Sequence, residues 1–174
     1  MKGSIVLMAG ILAGCGSSAA PAEPPVSTGG GLEAFLKQSG YSSVEMSRLP
    51  TGHFSVSGTA DSVRFDLILD TGASHTIIDT ERADRFNLMT RDRGGTATGL
   101  GVSGQRIESG QLDNVALGAV RFARIPVAVV DLSEVNGVLE RLGNAPVDGV
   151  IGADVLMSQQ AVIDYGSLNL YLKE

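Results

Sequence analysis

Residues 67–78 read Leu-Ile-Leu-Asp-Thr-Gly-Ala-Ser-His-Thr-Ile-Ile: an apolar run ends on Asp70, turns at Gly72 and resumes as β-type sequence. Just upstream, Val63, Phe65, Leu67 and Leu69 alternate with Arg64 and Asp66, the period of two that marks a strand with one buried face. A carboxylate at the end of such a strand sits on a rigid element over an apolar floor. Gly72 permits the sharp turn that brings backbone amides beside that carboxylate. Thr71 adds a hydroxyl that reaches a neighbouring backbone or a symmetry mate. A bare Asp-Thr-Gly is common; its position between two apolar runs gives it meaning.

Working outward, the same alternation starts at His53, with Phe54 and Val56 on one face. Residues 80–88 have helical character, with Thr80 as a possible N-cap and Glu81 in the first turn. Residues 93–104 hold glycines at 94, 95, 99, 101 and 104. Strand-like runs follow at 105–117 and 120–130, then a short helix at 132–142 with Ser133 as its cap. An apolar run at 147–151, one helical turn at 153–158 and a hairpin from 160–164 to 168–172 complete the chain. No internal repeat is present. Asp154, Asp164 and Asp79 read as cap, turn and surface carboxylates, and Gly152 as a packing residue.

The N-terminus has another character. Lys2 precedes a short apolar stretch (Ile5, Val6, Leu7, Met8, Ile11, Leu12). A spanning helix needs about 20 apolar residues, so this stretch fits a secretory h-region instead. It ends in Leu12-Ala13-Gly14-Cys15, which resembles the bacterial lipobox. That resemblance implies a signal peptide over 1–14, a lipid on Cys15 and an envelope location facing the periplasm. Gly16 in place of Asp favours the outer membrane in a Gram-negative host. Residues 15–31, rich in Gly, Ser, Ala and Pro, are expected to form a flexible tether. Residues 32–49 read as an N-terminal extension with a helix at 32–39 stopped by Gly40. Residues 50–174 read as the main domain.

Composition narrows the function classes. Of 174 residues, 43% are hydrophobic and 18% charged, a globular balance. Thirteen Lys and Arg against nineteen Asp and Glu give a net charge of −6, which argues against a nucleic-acid partner. One Cys and two His exclude an intrachain disulfide and argue against a zinc centre.

Three ordered motifs carry a resemblance to a known family. The run Leu67–Ala73 with its Asp-Thr-Gly-Ala is the first. Some thirty residues on comes Ala97-Thr98-Gly99-Leu100-Gly101-Val102-Ser103-Gly104, and then Asp148-Gly149-Val150-Ile151-Gly152-Ala153-Asp154. Together they resemble the retropepsin-like, single-lobe aspartic proteases. The resemblance implies an all-β closed barrel with one or two short helices, and no cofactor. It makes Asp70, Thr71 and Gly72 the catalytic motif. Ala73, Ser74, His75, Gly99, Leu100 and Gly101 become substrate-lining residues, the last three within a flap. For His75, a solvated loop position is an equal reading.

Two close carboxylates share one proton, so a pair of Asp side chains can activate water for peptide hydrolysis. With one Asp-Thr-Gly per chain, the resemblance implies a homodimer in which Asp70 meets its copy. Ala73 replaces a hydroxyl residue common in pepsin-like enzymes, so activity is expected toward mildly acidic to neutral pH. The Asp–Arg ion pair of retroviral members is missing, since Ser74 or His75 and Ala153 stand in its places. A second reading stays open: an envelope lipoprotein that binds extended peptides in the same groove without cleaving them.

Overall fold

The computed structural model describes residues 30–99 and 102–174. Helix α1 (Gly30–Gln38) leads into strands β1 (Tyr41–Arg48), β2 (Phe54–Ala60) and β3 (Val63–Leu69). Then come β4 (Ile77–Asp79), a 3-10 helix (Thr80–Phe86), β5 (Arg91–Gly99), β6 (Val102–Leu117) and β7 (Val120–Val130). Helix α2 (Ser133–Arg141), β8 (Gly149–Ile151), helix α3 (Ala153–Ser158), β9 (Val162–Asp164) and β10 (Asn169–Lys173) close the order.

Six strands form a closed barrel. The order β6-β7-β4-β8-β3-β2 returns to β6 where Thr59 pairs with Ala116. The all-β expectation therefore holds, with three short α-helices among the described residues where one or two were expected. Outside the barrel, β5 extends the sheet from β6, while β1, β10 and β9 extend it from β2. β1 lies between β10 and β2, so residues 41–48 are an integral strand, and residue 50 falls in the β1–β2 turn. Only Val44 and Met46 of that strand are buried, which made its alternation faint in the sequence.

β3 shows why the barrel centres on the quoted segment. Phe65, Leu67 and Leu69 point into the main core with Val56, Ile78, Leu112 and Leu172. Ile68 faces the other way, into a second cluster with Leu132, Leu139, Val147 and Val150. The strand is therefore buried on both faces at its C-terminal end, and α2 supplies the outer cover. Each such side chain contributes about 1.5–3 kcal/mol on burial. The β2–β3 connection is a two-residue turn with Asp61 and Ser62 at φ 45 and 68, the left-handed geometry that matches strand twist.

Several local expectations shift. Residues 80–86 form a 3-10 helix preceded by Asp79, and no side-chain cap bond is made there. α2 is not capped by the Ser133 side chain: Ser133 N donates to Asp131 Oδ1 at 2.8 Å. The Ser133 hydroxyl foremost, and then that backbone bond, hold the Asp131 carboxyl below its ordinary pKa. The final hairpin starts at Val162, since Gln160 takes a positive φ of 46. Asp164 does form the turn: it accepts from Gly166 N, Ser167 N and the Ser167 hydroxyl. These bonds, that of the hydroxyl foremost, lower its pKa.

Candidate active site

β3 delivers Asp70 to a loop clamped from behind. Asp70 N donates to Ile151 O at 3.1 Å, which continues the parallel β3–β8 ladder by one residue. Gly72 N donates to Asp70 Oδ1 at 2.8 Å, and Ala73 N to Asp70 O at 3.3 Å. The amide-to-carboxylate contact expected from the glycine is therefore present. Asp70 is half-buried, Ala73 likewise, while Thr71, Gly72, Ser74 and His75 are exposed.

The clamp comes from residues 152–154. Gly152 packs so tightly that a Cβ there would lie 2.5 Å from His75 C and 2.9 Å from Ala73 O. Gly152 is thus a packing residue, as the sequence suggested. Ala153 N donates to Ala73 O at 2.8 Å, a backbone contact that joins the two segments. Thr76, only 1% exposed, gives its N and Oγ1 to the two carboxylate oxygens of Asp154 at 2.9 and 2.8 Å. Thr76 Oγ1 in turn accepts from Gly152 N at 3.1 Å. Asp154 also accepts from Val155 N at 2.8 Å, so one carboxylate ties the first turn of α3 to the loop; the N-cap position itself is Gly152, with no side-chain cap bond. Removing it leaves buried Thr76 donors unpaired, at about 1–3 kcal/mol each. Asp154→Ala is expected to lower stability by about 2–4 kcal/mol, read as a lower urea midpoint. An unchanged midpoint would mean that Gly152 and Ala153 hold the loop unaided.

Two further carboxylates brace the surroundings. Asp79 is not at the surface: it is 1% exposed and accepts from Leu132 N at 3.1 Å and Asn136 Nδ2 at 2.9 Å. Asn136 also exchanges bonds with the Val147 backbone, so α2 is fastened to β4 and to the entrance of β8. No local pattern reveals this, because the partners of Asp79 arrive more than fifty residues later. Asp148 accepts from Asp66 N at 2.9 Å and pairs with Arg85, tying the 3-10 helix to the barrel. It lies behind the loop as a packing carboxylate.

The β5–β6 hairpin carries the glycine-rich segment expected to act as a flap. Gly99 pairs with Val102 at its tip, and the register shifts between Asp92 and Gly95. Leu100 and Gly101 lie outside the described residues, as do Cys15 and the segment before Gly30. His53 stands in the β1–β2 turn, its Nδ1 3.0 Å from Thr51 Oγ1. An open cavity of about 640 Å³ sits elsewhere, at the β2–β3 turn, lined by Asp61, Asn114, Arg121 and Phe122. Among the described residues, no group of three His, Cys, Asp or Glu side chains is arranged to hold a metal.

A six-stranded barrel with an Asp-Thr-Gly loop held by a Gly-containing strand defines the class of acid-protease lobes. A sequence profile described as aspartyl protease matches residues 56–155, and the chain belongs to that family. The fold is similar to a retropepsin-like aspartic protease from Rickettsia conorii. That match has a TM-score of 0.50 and 20% identity, over 76% of this chain and 91% of that one. Two other similar structures are the retroviral protease-like domain of Ddi1 from Leishmania major and the EIAV protease in complex with the inhibitor HBY-793. The first has TM-score 0.44 and 22% identity over 69% of this chain and 94% of that one. The second has TM-score 0.45 and 21% identity over 63% and 90%. No curated protein matches in sequence.

Proposed function

We propose that the chain is an aspartic endopeptidase that works as a homodimer, with Asp70 of each copy forming the catalytic pair. One observation carries this reading. The Asp70 carboxylate is oriented by Gly72 N, yet Thr71, Gly72 and Ser74 around it are exposed, so half of the site stands open. A second copy related by a two-fold axis brings an identical loop to the open side.

Chemistry follows from the pair. The ionised carboxylate takes a proton from water as the water oxygen bonds to the scissile carbonyl carbon. The protonated partner donates to the carbonyl oxygen. Collapse of the tetrahedral intermediate breaks the C–N bond, and the leaving amine takes a proton from the pair. Ala73, Ser74 and His75 flank the substrate, and the β5–β6 hairpin with Gly99, Leu100 and Gly101 covers it and excludes water. Under the same proposal residues 1–14 are removed, Cys15 bears the lipid, and the domain works at the periplasmic face of the envelope.

The test is cleavage of a diverse peptide mixture between about pH 4 and 7.5, read by mass spectrometry. Cutting rate per chain is expected to rise with protein concentration until the dimer saturates, and to be highest at mildly acidic to neutral pH. A rate per chain independent of concentration in a monomeric protein would overturn the shared site. Peptide binding without any cleavage would favour the non-catalytic reading.

A further inference from the structure

We propose that α1 rests on a lipid bilayer, with Phe35 and Leu32 entering the headgroup–acyl boundary. This rests on the reading of Cys15 as the lipid-bearing residue.

α1 has one apolar side that is only partly covered: Leu36 is packed inward at 5% exposure, whereas Phe35 is 65% and Leu32 42% exposed. Leu32 neighbours both Leu36, four residues on, and Phe35, three residues on, so Leu32 and Phe35 form the uncovered edge of that side. Electrostatics is balanced around them: Lys37 pairs with Glu33 at 2.6 Å, while Lys173 and Glu174 follow one another at the end of β10. Apolar burial therefore decides what this face meets, as it does for interfacial helices.

A second copy is the competing cover, and geometry argues against it. The copy that completes the Asp70 pair must cover the sheet end that carries Asp70. α1 joins the sheet at the other end: Lys173 Nζ donates to Ser39 O, and Glu174 N to Gly40 O at 3.0 Å. Ser39 N and Ser39 Oγ both donate to Phe35 O, at 3.0 and 2.9 Å, which sets Phe35 one helical turn from that end. The length of β1, roughly 23 Å at 3.3 Å per residue, separates the two ends.

The chain between Cys15 and Gly30 supplies the positive argument. Fully extended it spans at most about 50 Å. A lipid on Cys15 thus keeps α1 close to a bilayer at high effective concentration, where even a two-residue apolar face is retained. With α1 on the membrane, the Asp70 end points away from the lipid, toward peptides on the aqueous side.

The sequence contains no tryptophan, so Phe35→Trp creates a single fluorescent reporter. The chain from Cys15 to Glu174, which keeps every described residue, is coupled through its one thiol to maleimide lipids in phosphatidylcholine–phosphatidylglycerol vesicles. Coupling works whether or not a cell lipidates Cys15, and natural lipidation is read separately from the mass of membrane-extracted protein. Emission of the Phe35→Trp protein is expected to shift to the blue on coupling and to be quenched by brominated acyl chains. A Tyr165→Trp protein, reporting from the Asp70 end, is expected to show neither change. Unchanged Phe35→Trp emission, an equal shift in both proteins, or a blue shift that follows protein concentration without vesicles would each overturn the proposal.

Discussion

Asp70→Asn is expected to abolish peptide cleavage while leaving the fold intact. In a homodimer the substitution alters both carboxylates at once, removing the acid and the base together. Positioned acid–base groups contribute roughly 10²–10⁴-fold, so the loss is expected to be at least about 10³-fold. The amide keeps an oxygen for the bond from Gly72 N, now 2.8 Å from Asp70 Oδ1, so the loop retains its shape. Product masses from a peptide mixture and a urea curve on the same samples check both halves. Cleavage that survives Asp70→Asn would place the chemistry elsewhere and remove the basis for the shared site.

The second large effect is on stability. Gly149 of β8 lies between β3 and β4, paired with Leu67 on one side and Ile78 on the other. A Cβ there would lie 2.0 Å from Ile77 O and 3.1 Å from Ile78 Cα. Both are backbone atoms of a strand inside a closed barrel, so neither can swing aside. Gly149→Ala is expected to cost more than about 4 kcal/mol, a large share of the roughly 5–15 kcal/mol of a typical domain. Circular dichroism during thermal unfolding reads the result as a largely unfolded protein. A melting point within a few degrees of the parent would mean that β4 and β8 separate more easily than the barrel implies.

The Asp70 loop was legible in the sequence because its determinants are local. The alternation of Val63 to Leu69 sets the strand, Asp70 ends it, and Gly72 makes the turn. Gly152 was legible as a packing residue, whereas Asp154, which reads as a cap, instead sits in the first turn of α3 and holds Thr76. Asp79 was not legible. Its burial depends on Leu132 and Asn136, which belong to a later segment that closes over it only in three dimensions. Thr76 was equally hidden: a threonine opening an apolar run reads as strand sequence, and its task appears only once Asp154 stands beside it. β1 was read as an extension for a related reason, since its pairing with β10 joins residues at opposite ends of the chain.

The clamp on the loop has a consequence in time. Thr76 and Asp154 are 78 positions apart, and Asp70 is fixed by Ile151 from the same distant stretch. A chain that leaves the ribosome amino end first exposes its Asp-Thr-Gly well before the residues that hold it exist. The nascent polypeptide therefore carries the motif before its clamp has formed. The folded form of the loop becomes available only after residues 151–154 have been made, so the order of synthesis sets when the motif takes shape.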